Sequence, residues 1–101
     1  MLPLVLAILA VAASVAVIVI AVLNWDRIIE WFRSRQNLKQ SDKDNIAFTL
    51  KEKWESGQYG TVQGIFNTRT GELLDAEKTH AKSVDEKVAE IHSKEELVLY
   101  N

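Results

Sequence analysis

Residues 2–23, LPLVLAILAVAASVAVIVIAVL, contain no charged side chain, and Ser14 is their only polar one. As a continuous helix rising ~1.5 Å per residue, a stretch of that length is roughly 33 Å long, enough to cross the hydrocarbon core of a bilayer. A rod apolar on every face cannot be wrapped by a domain as small as the remaining chain, so lipid is its expected solvent. The segment lacks the basic n-region of an export signal, and its apolar core is longer than such signals use, so retention as an anchor is expected over cleavage. Ala10, Ser14, Val17 and Ala21, with Ala12 and Ala16, offer small residues at spacings that allow helix pairing.

The charges after this segment suggest an orientation. Arg27, Arg33, Arg35, Lys39 and Lys43 follow it closely, while nothing basic but the α-amino group precedes it. The positive-inside tendency then predicts a single-pass membrane protein with the N-terminus outside and the C-terminal domain cytoplasmic. The lipid bilayer is thus the first expected partner.

Residues 24–45 read as an interfacial amphipathic helix and polar linker. Trp25, Ile28, Ile29 and Phe32 recur at helical spacing, and Trp31, Arg27, Arg33 and Arg35 complete a set suited to the headgroup zone. These eight residues form the candidate membrane-interface site. Gln36–Asn45 holds one apolar residue, Leu38, and reads as a solvated tether or frayed helix end.

Residues 46–101 are left to form a small α+β domain. Its first element has two readings. As a helix, Ile46, Ala47, Leu50 and Trp54 share a face and Gly57 ends it; as a strand, Ile46, Phe48 and Leu50 alternate with Ala47, Thr49 and Lys51. The Lys-Glu-Lys-Trp-Glu-Ser-Gly ending tips the expectation to helix. Tyr59–Asn67 and Glu72–Thr79, rich in β-formers around Thr68-Arg69-Thr70-Gly71, predict a hairpin. Ser83-Val84-Asp85-Glu86 resembles a capping box opening a second helix with Val84, Val88 and Ile91 inward, and Glu96–Tyr100 closes as a strand. The expected fold is a single-span transmembrane helix followed by this domain in the order α-β-β-α-β. It would have a three-stranded sheet with helices on one face and a core of Leu50, Trp54, Val62, Phe66, Leu73, Val88, Ile91, Leu97 and Leu99.

A domain this short buries only ~60% of its unfolded surface, so a partner, a dimer or the membrane is expected to complete it. The C-terminal strand is a candidate edge for pairing with another chain.

Obvious chemistry is absent from the sequence. From Gln36 onward nine basic residues face twelve acidic ones, an electrostatic balance unsuited to nucleic acid. There is no cysteine, and His80 and His92, the two imidazoles, stand twelve apart, which matches no standard metal-ligand spacing. Paired carboxylates such as Asp85/Glu86 suit a helix start, the glycines lack a phosphate-loop setting, and the serines lack a nucleophile elbow. No catalytic, cofactor or metal residue is assigned, no enzyme activity is expected, and no small-molecule substrate is evident.

The function these readings favour is a membrane-anchored accessory or assembly protein whose cytoplasmic domain binds a membrane or peripheral protein partner, or itself. The alternative is a small lysis or toxin-like effector acting through the span.

Overall fold

The computed structural model describes residues 2–100 and divides the apolar N-terminal stretch in two. Helix α1 (Leu2–Ala12) is followed by a turn and by strand β1 (Val17–Leu23). The division follows intrinsic preference. The first half is dominated by Leu and Ala, which favour helix, whereas Val17, Ile18, Val19, Ile20 and Val22 are β-branched and stiff at χ1, which favours the pleated strand. Ser14 closes the helix by donating its hydroxyl to the Val11 carbonyl at 3.1 Å, and the Val15 N–H bonds the Ala12 carbonyl at 3.0 Å.

The expected transmembrane anchor is therefore corrected. Among the described residues no helix is long and apolar enough to cross a membrane, and the 11 residues of α1 reach only about half the hydrocarbon thickness at ~1.5 Å each. The single-pass placement, with its outside N-terminus and cytoplasmic domain, falls with it. What satisfies the backbone of residues 17–23 is instead a β ladder.

The remaining elements are α2 (Trp25–Arg33), α3 (Gln36–Gln40), β2 (Asn45–Glu55), β3 (Gln58–Asn67), β4 (Glu72–Val84), α4 (Glu86–Ile91) and β5 (Leu97–Tyr100). They form a five-stranded mixed sheet in the order β1-β4-β3-β2-β5, where only the β1–β4 pair is parallel. The expected three-stranded sheet with helices on one face is thus replaced by five strands between two helical layers. Segment 46–56, expected as a helix, is strand β2: its alternating face is satisfied by Phe66, Gly64 and Val62 of β3 opposite Ile46, Phe48 and Leu50. Gly57, rather than ending a helix, takes φ 81° in the β2–β3 turn.

Those alternating residues make the first core. Phe48, Leu50, Val62 and Phe66 are buried against Ile8 and Ala12 of α1, with Leu73 and Leu97 partly buried beside them. The opposite sheet face carries the second core, in which Leu23, Ile28, Ala81 and Val88 pack together under α2 and α4. Of the expected core residues, Leu50, Val62, Phe66 and Val88 are buried, and Leu99 instead lies 51% exposed at the β5 edge. The C-terminal strand does occupy a sheet edge.

The predicted hairpin is β3–β4. Its turn is organised by Asn67, whose side-chain oxygen accepts from the backbone N–H groups of Arg69 and Thr70 at 3.0 and 2.9 Å, while Gly71 adopts φ 73°. The second predicted helix exists as α4, but its N-cap is Asp85 and not Ser83. Asp85 accepts from Val88 N–H and also from Trp25 N–H, both at 2.8 Å, so one carboxylate serves the starts of two helices.

Candidate functional site

Three regions outside the apolar cores combine polar or exposed groups in ways that matter for function: a buried polar layer, a cleft, and an apolar strand edge.

The polar layer lies on the sheet face beneath α2 and α4, where β2, β3 and β4 present Thr49, Thr61, Gln63 and Thr79 as fully buried side chains. Beside it, Glu77 of β4 receives Arg27 of α2 through two hydrogen bonds of 3.0 Å each, and Gln63 Nε2 donates to the same carboxylate at 2.6 Å. The two-pronged guanidinium geometry neutralises a carboxylate whose side chain is only 14% exposed. Gln63 Oε1 is left without a partner.

At the other end of this layer stand Thr49, His92 and Tyr100. His92 Nδ1 lies 2.9 Å from the Glu95 carbonyl, which can only accept, so Nδ1 carries the proton. Nε2 must then accept from the Thr49 hydroxyl at 2.7 Å, and Thr49 Oγ1 in turn accepts from the Tyr100 hydroxyl at 2.7 Å. A hydroxyl on an imidazole whose second nitrogen is oriented by an acceptor has the outline of a nucleophile and base. Thr49 and His92 are, however, sealed at 0% and 1% exposure. No substrate atom reaches them, and the chain of hydrogen bonds serves to join β2, the end of α4 and β5.

Burial lowers the His92 pKa below the ordinary histidine value, the Glu95 carbonyl opposes this, and Lys51 nearby lowers it further. Burial likewise raises the Tyr100 pKa above the ordinary tyrosine value. Because the folded state disfavours the His92 proton, the unfolded state binds more protons below the ordinary value. The stabilisation is complete above pH ~6.5 and is lost as pH falls from there toward the lowered folded value. Thermal melts between pH 8 and 5 are expected to show a loss of Tm on acidification that is smaller in His92→Gln; an equal loss in both proteins would show that other groups carry it.

The cleft lies between α2, α3 and the β5 edge and encloses about 450 Å3. Ile29 and Phe32 of α2 and the Tyr100 ring supply apolar wall, and Arg33, Gln36 and Lys39 supply polar rim. Phe32 and Trp25 both pack at a tilt against the Tyr100 ring, at centroid distances of 5.4 and 6.0 Å, so the aromatic wall is continuous with the polar layer behind it.

The apolar edge is β1. Its outer side has no neighbouring strand among the described residues, and Val17, Val19 and Val22 are 50%, 74% and 46% exposed. It carries no Lys, Pro or bulge of the kind that blunts an edge.

The eight residues assigned to a membrane interface are all on or just after α2, and the structure distributes them around that helix. Ile28 and Trp31 are buried and Trp25 is half-buried; Arg27 pairs with Glu77; Arg35 pairs with Asp75 at 2.6 Å and lies over the Trp31 ring at 4.0 Å. Ile29, Phe32 and Arg33 line the cleft. The helical stripe read from the sequence therefore packs on a sheet. His80 is exposed on β4 and His92 buried at the end of α4, so the two imidazoles are not brought together. Among the described residues no group of three or more His, Cys, Asp or Glu side chains is placed to hold a metal ion.

Sequence reasoning missed Thr49, Tyr100 and the β1 edge. Thr49 belongs to a strand expected as a helix, and β1 lay inside the expected span; the density of β-branched residues after Ser14 was the available signal. Comparison with family models, with curated proteins and with solved structures found no match.

Proposed function

We propose that this protein is a non-catalytic assembly module that associates with a second copy of itself through β1. The observation that supports this reading is the unprotected edge strand, four of whose residues are large, apolar and exposed. Soluble folds ordinarily blunt such an edge, and a strand that offers free main-chain donors and acceptors beside apolar side chains is suited to adding another strand.

Self-pairing suits the chemistry of β1. An antiparallel pair centred on Ile20 opposes Val19 with Ala21, Ile18 with Val22 and Val17 with Leu23 of the second copy. No charge opposes a like charge, because none lies between residues 2 and 25. The two sheets then become one of ten strands, and each copy's apolar edge is covered.

Sedimentation velocity over micromolar to millimolar concentrations tests this. The unmodified chain is expected to shift from monomer to dimer, and Val19→Lys/Val22→Lys, which places cations on exposed positions opposite no lysine of β4, is expected to stay monomeric with an unchanged melting temperature. A monomer at every concentration, or a dimer indifferent to the double substitution, would overturn the reading.

A further inference from the structure

We infer that the cleft between α2, α3 and β5 binds an anionic amphiphile, a carboxylate head on a short apolar tail. Its volume of about 450 Å3 falls within the range of small-molecule sites, roughly 300–1,000 Å3. The wall formed by Ile29, Phe32 and Tyr100 is apolar, and the charged groups on the lining, Arg33 and Lys39, are both cations. A neutral apolar ligand would leave those cations unused, and a cation would be repelled by them. An anion with a tail uses both parts of the cleft.

Two features of α2 bear on whether an anion is tolerated beside its C-terminal turn. The carbonyls there would repel it. Three of them are already occupied: Ser34 N–H bonds the Glu30 carbonyl at 3.0 Å, Arg35 N–H bonds that of Phe32 at 3.0 Å, and the Ser34 hydroxyl bonds that of Trp31 at 2.8 Å. Arg33 is held by Glu30 at 2.6 Å, but both side chains are 67% exposed. A solvated pair of that kind is worth little, so a ligand carboxylate can displace Glu30 at small cost. Lys39 is in no ion pair among the described residues, so its ammonium can meet the head group, with the Gln36 amide on the same lining as a further donor.

This site lies at the β5 end of the sheet order, opposite β1, so ligand shifts there can be read apart from those of strand pairing. The test uses the full chain, labelled with 15N, titrated with sodium octanoate and, in parallel, with 1-octanol. Octanoate is expected to give saturable amide shifts at Ile29, Phe32, Lys39 and Tyr100. Octanol is expected to bind about tenfold more weakly, the weight of one charge-assisted contact. Lys39→Glu, whose dispersed spectrum would show an intact fold, is expected to weaken octanoate by at least about as much and to leave octanol unchanged. Equal affinity for octanol and octanoate, shifts confined to β1, or an affinity indifferent to Lys39→Glu would each overturn the assignment.

Discussion

Phe48→Ala is expected to destabilise the protein by about 3–5 kcal/mol, the range for deleting a fully buried aromatic ring that its surroundings cannot refill. Phe48 is 0% exposed and lies in the core that joins α1 to the sheet. For a chain of this length total stability is on the order of 5–15 kcal/mol, so the loss is a large share of it, and the midpoint of thermal unfolding is expected to fall by more than about 10 °C. The ring also explains Gly64. The two residues are paired across β2 and β3, and a Cβ on residue 64 would lie 2.8 Å from Phe48 Cζ and 3.0 Å from the Asp75 carbonyl oxygen. Gly64→Ala alone is therefore expected to cost about 1–3 kcal/mol through overpacking. In the double variant the cost of the added methyl falls, because the ring it strikes is gone. Denaturant melts of the four proteins measure this, and strictly additive losses would show that Phe48 and Gly64 do not share the space.

Arg27→Met is the second large effect. It keeps most of the aliphatic stem but removes the guanidinium that gives Glu77 two hydrogen bonds of 3.0 Å. Stranding a buried charge costs about 3–5 kcal/mol, and the 35% exposure of the Arg27 side chain lets water reach part of the site, so about 2–3 kcal/mol is expected. The double variant Arg27→Met/Glu77→Gln is expected to regain more than half of that loss, since no ion is then stranded and Gln63 still has an amide oxygen to meet. Urea melts in which Glu77→Gln brings no recovery would show that Arg27 acts through packing alone.

These two sites show where the sequence was readable and where it was not. The β3–β4 hairpin could be read from Asn67 to Gly71, because turn chemistry is local: Asn67 folds onto the N–H groups two and three residues on, and Gly71 takes a conformation that suits few other residues. The α2 stripe of Trp25, Ile28 and Phe32 was equally local, but its periodicity says only that one face is apolar. Whether lipid or a sheet covers that face depends on Arg27 finding Glu77 and Arg35 finding Asp75, partners 50 and 40 residues away.

The first 23 residues failed for a related reason. Hydropathy summed over residues 2–23 sees one apolar block and is blind to where it changes from Leu and Ala to Val and Ile. That change is what lets β1 leave the helix and pair with β4, again a contact about 60 residues distant. Strand β2 carried both a helical and an alternating pattern, and Phe48 opposite Gly64 decides between them across the sheet. The candidate sites were the least legible part, because Tyr100, Thr49 and His92 meet from three elements and the cleft walls come from α2, α3 and β5.

Everything proposed for β1 depends on residues 17–23 being a strand of the sheet. The most direct measurement is NMR of the full chain in aqueous buffer without detergent, reading backbone 13C shifts along residues 2–23 and cross-strand NOEs from β1. Helical shifts that stop near Ala12, extended shifts from Val17 to Leu23, and NOEs linking Val19 to its partner His80 and Ile20 to Ala81 are the predicted result. Helical shifts running unbroken from Leu2 to Leu23, with no contact to β4, would contradict it.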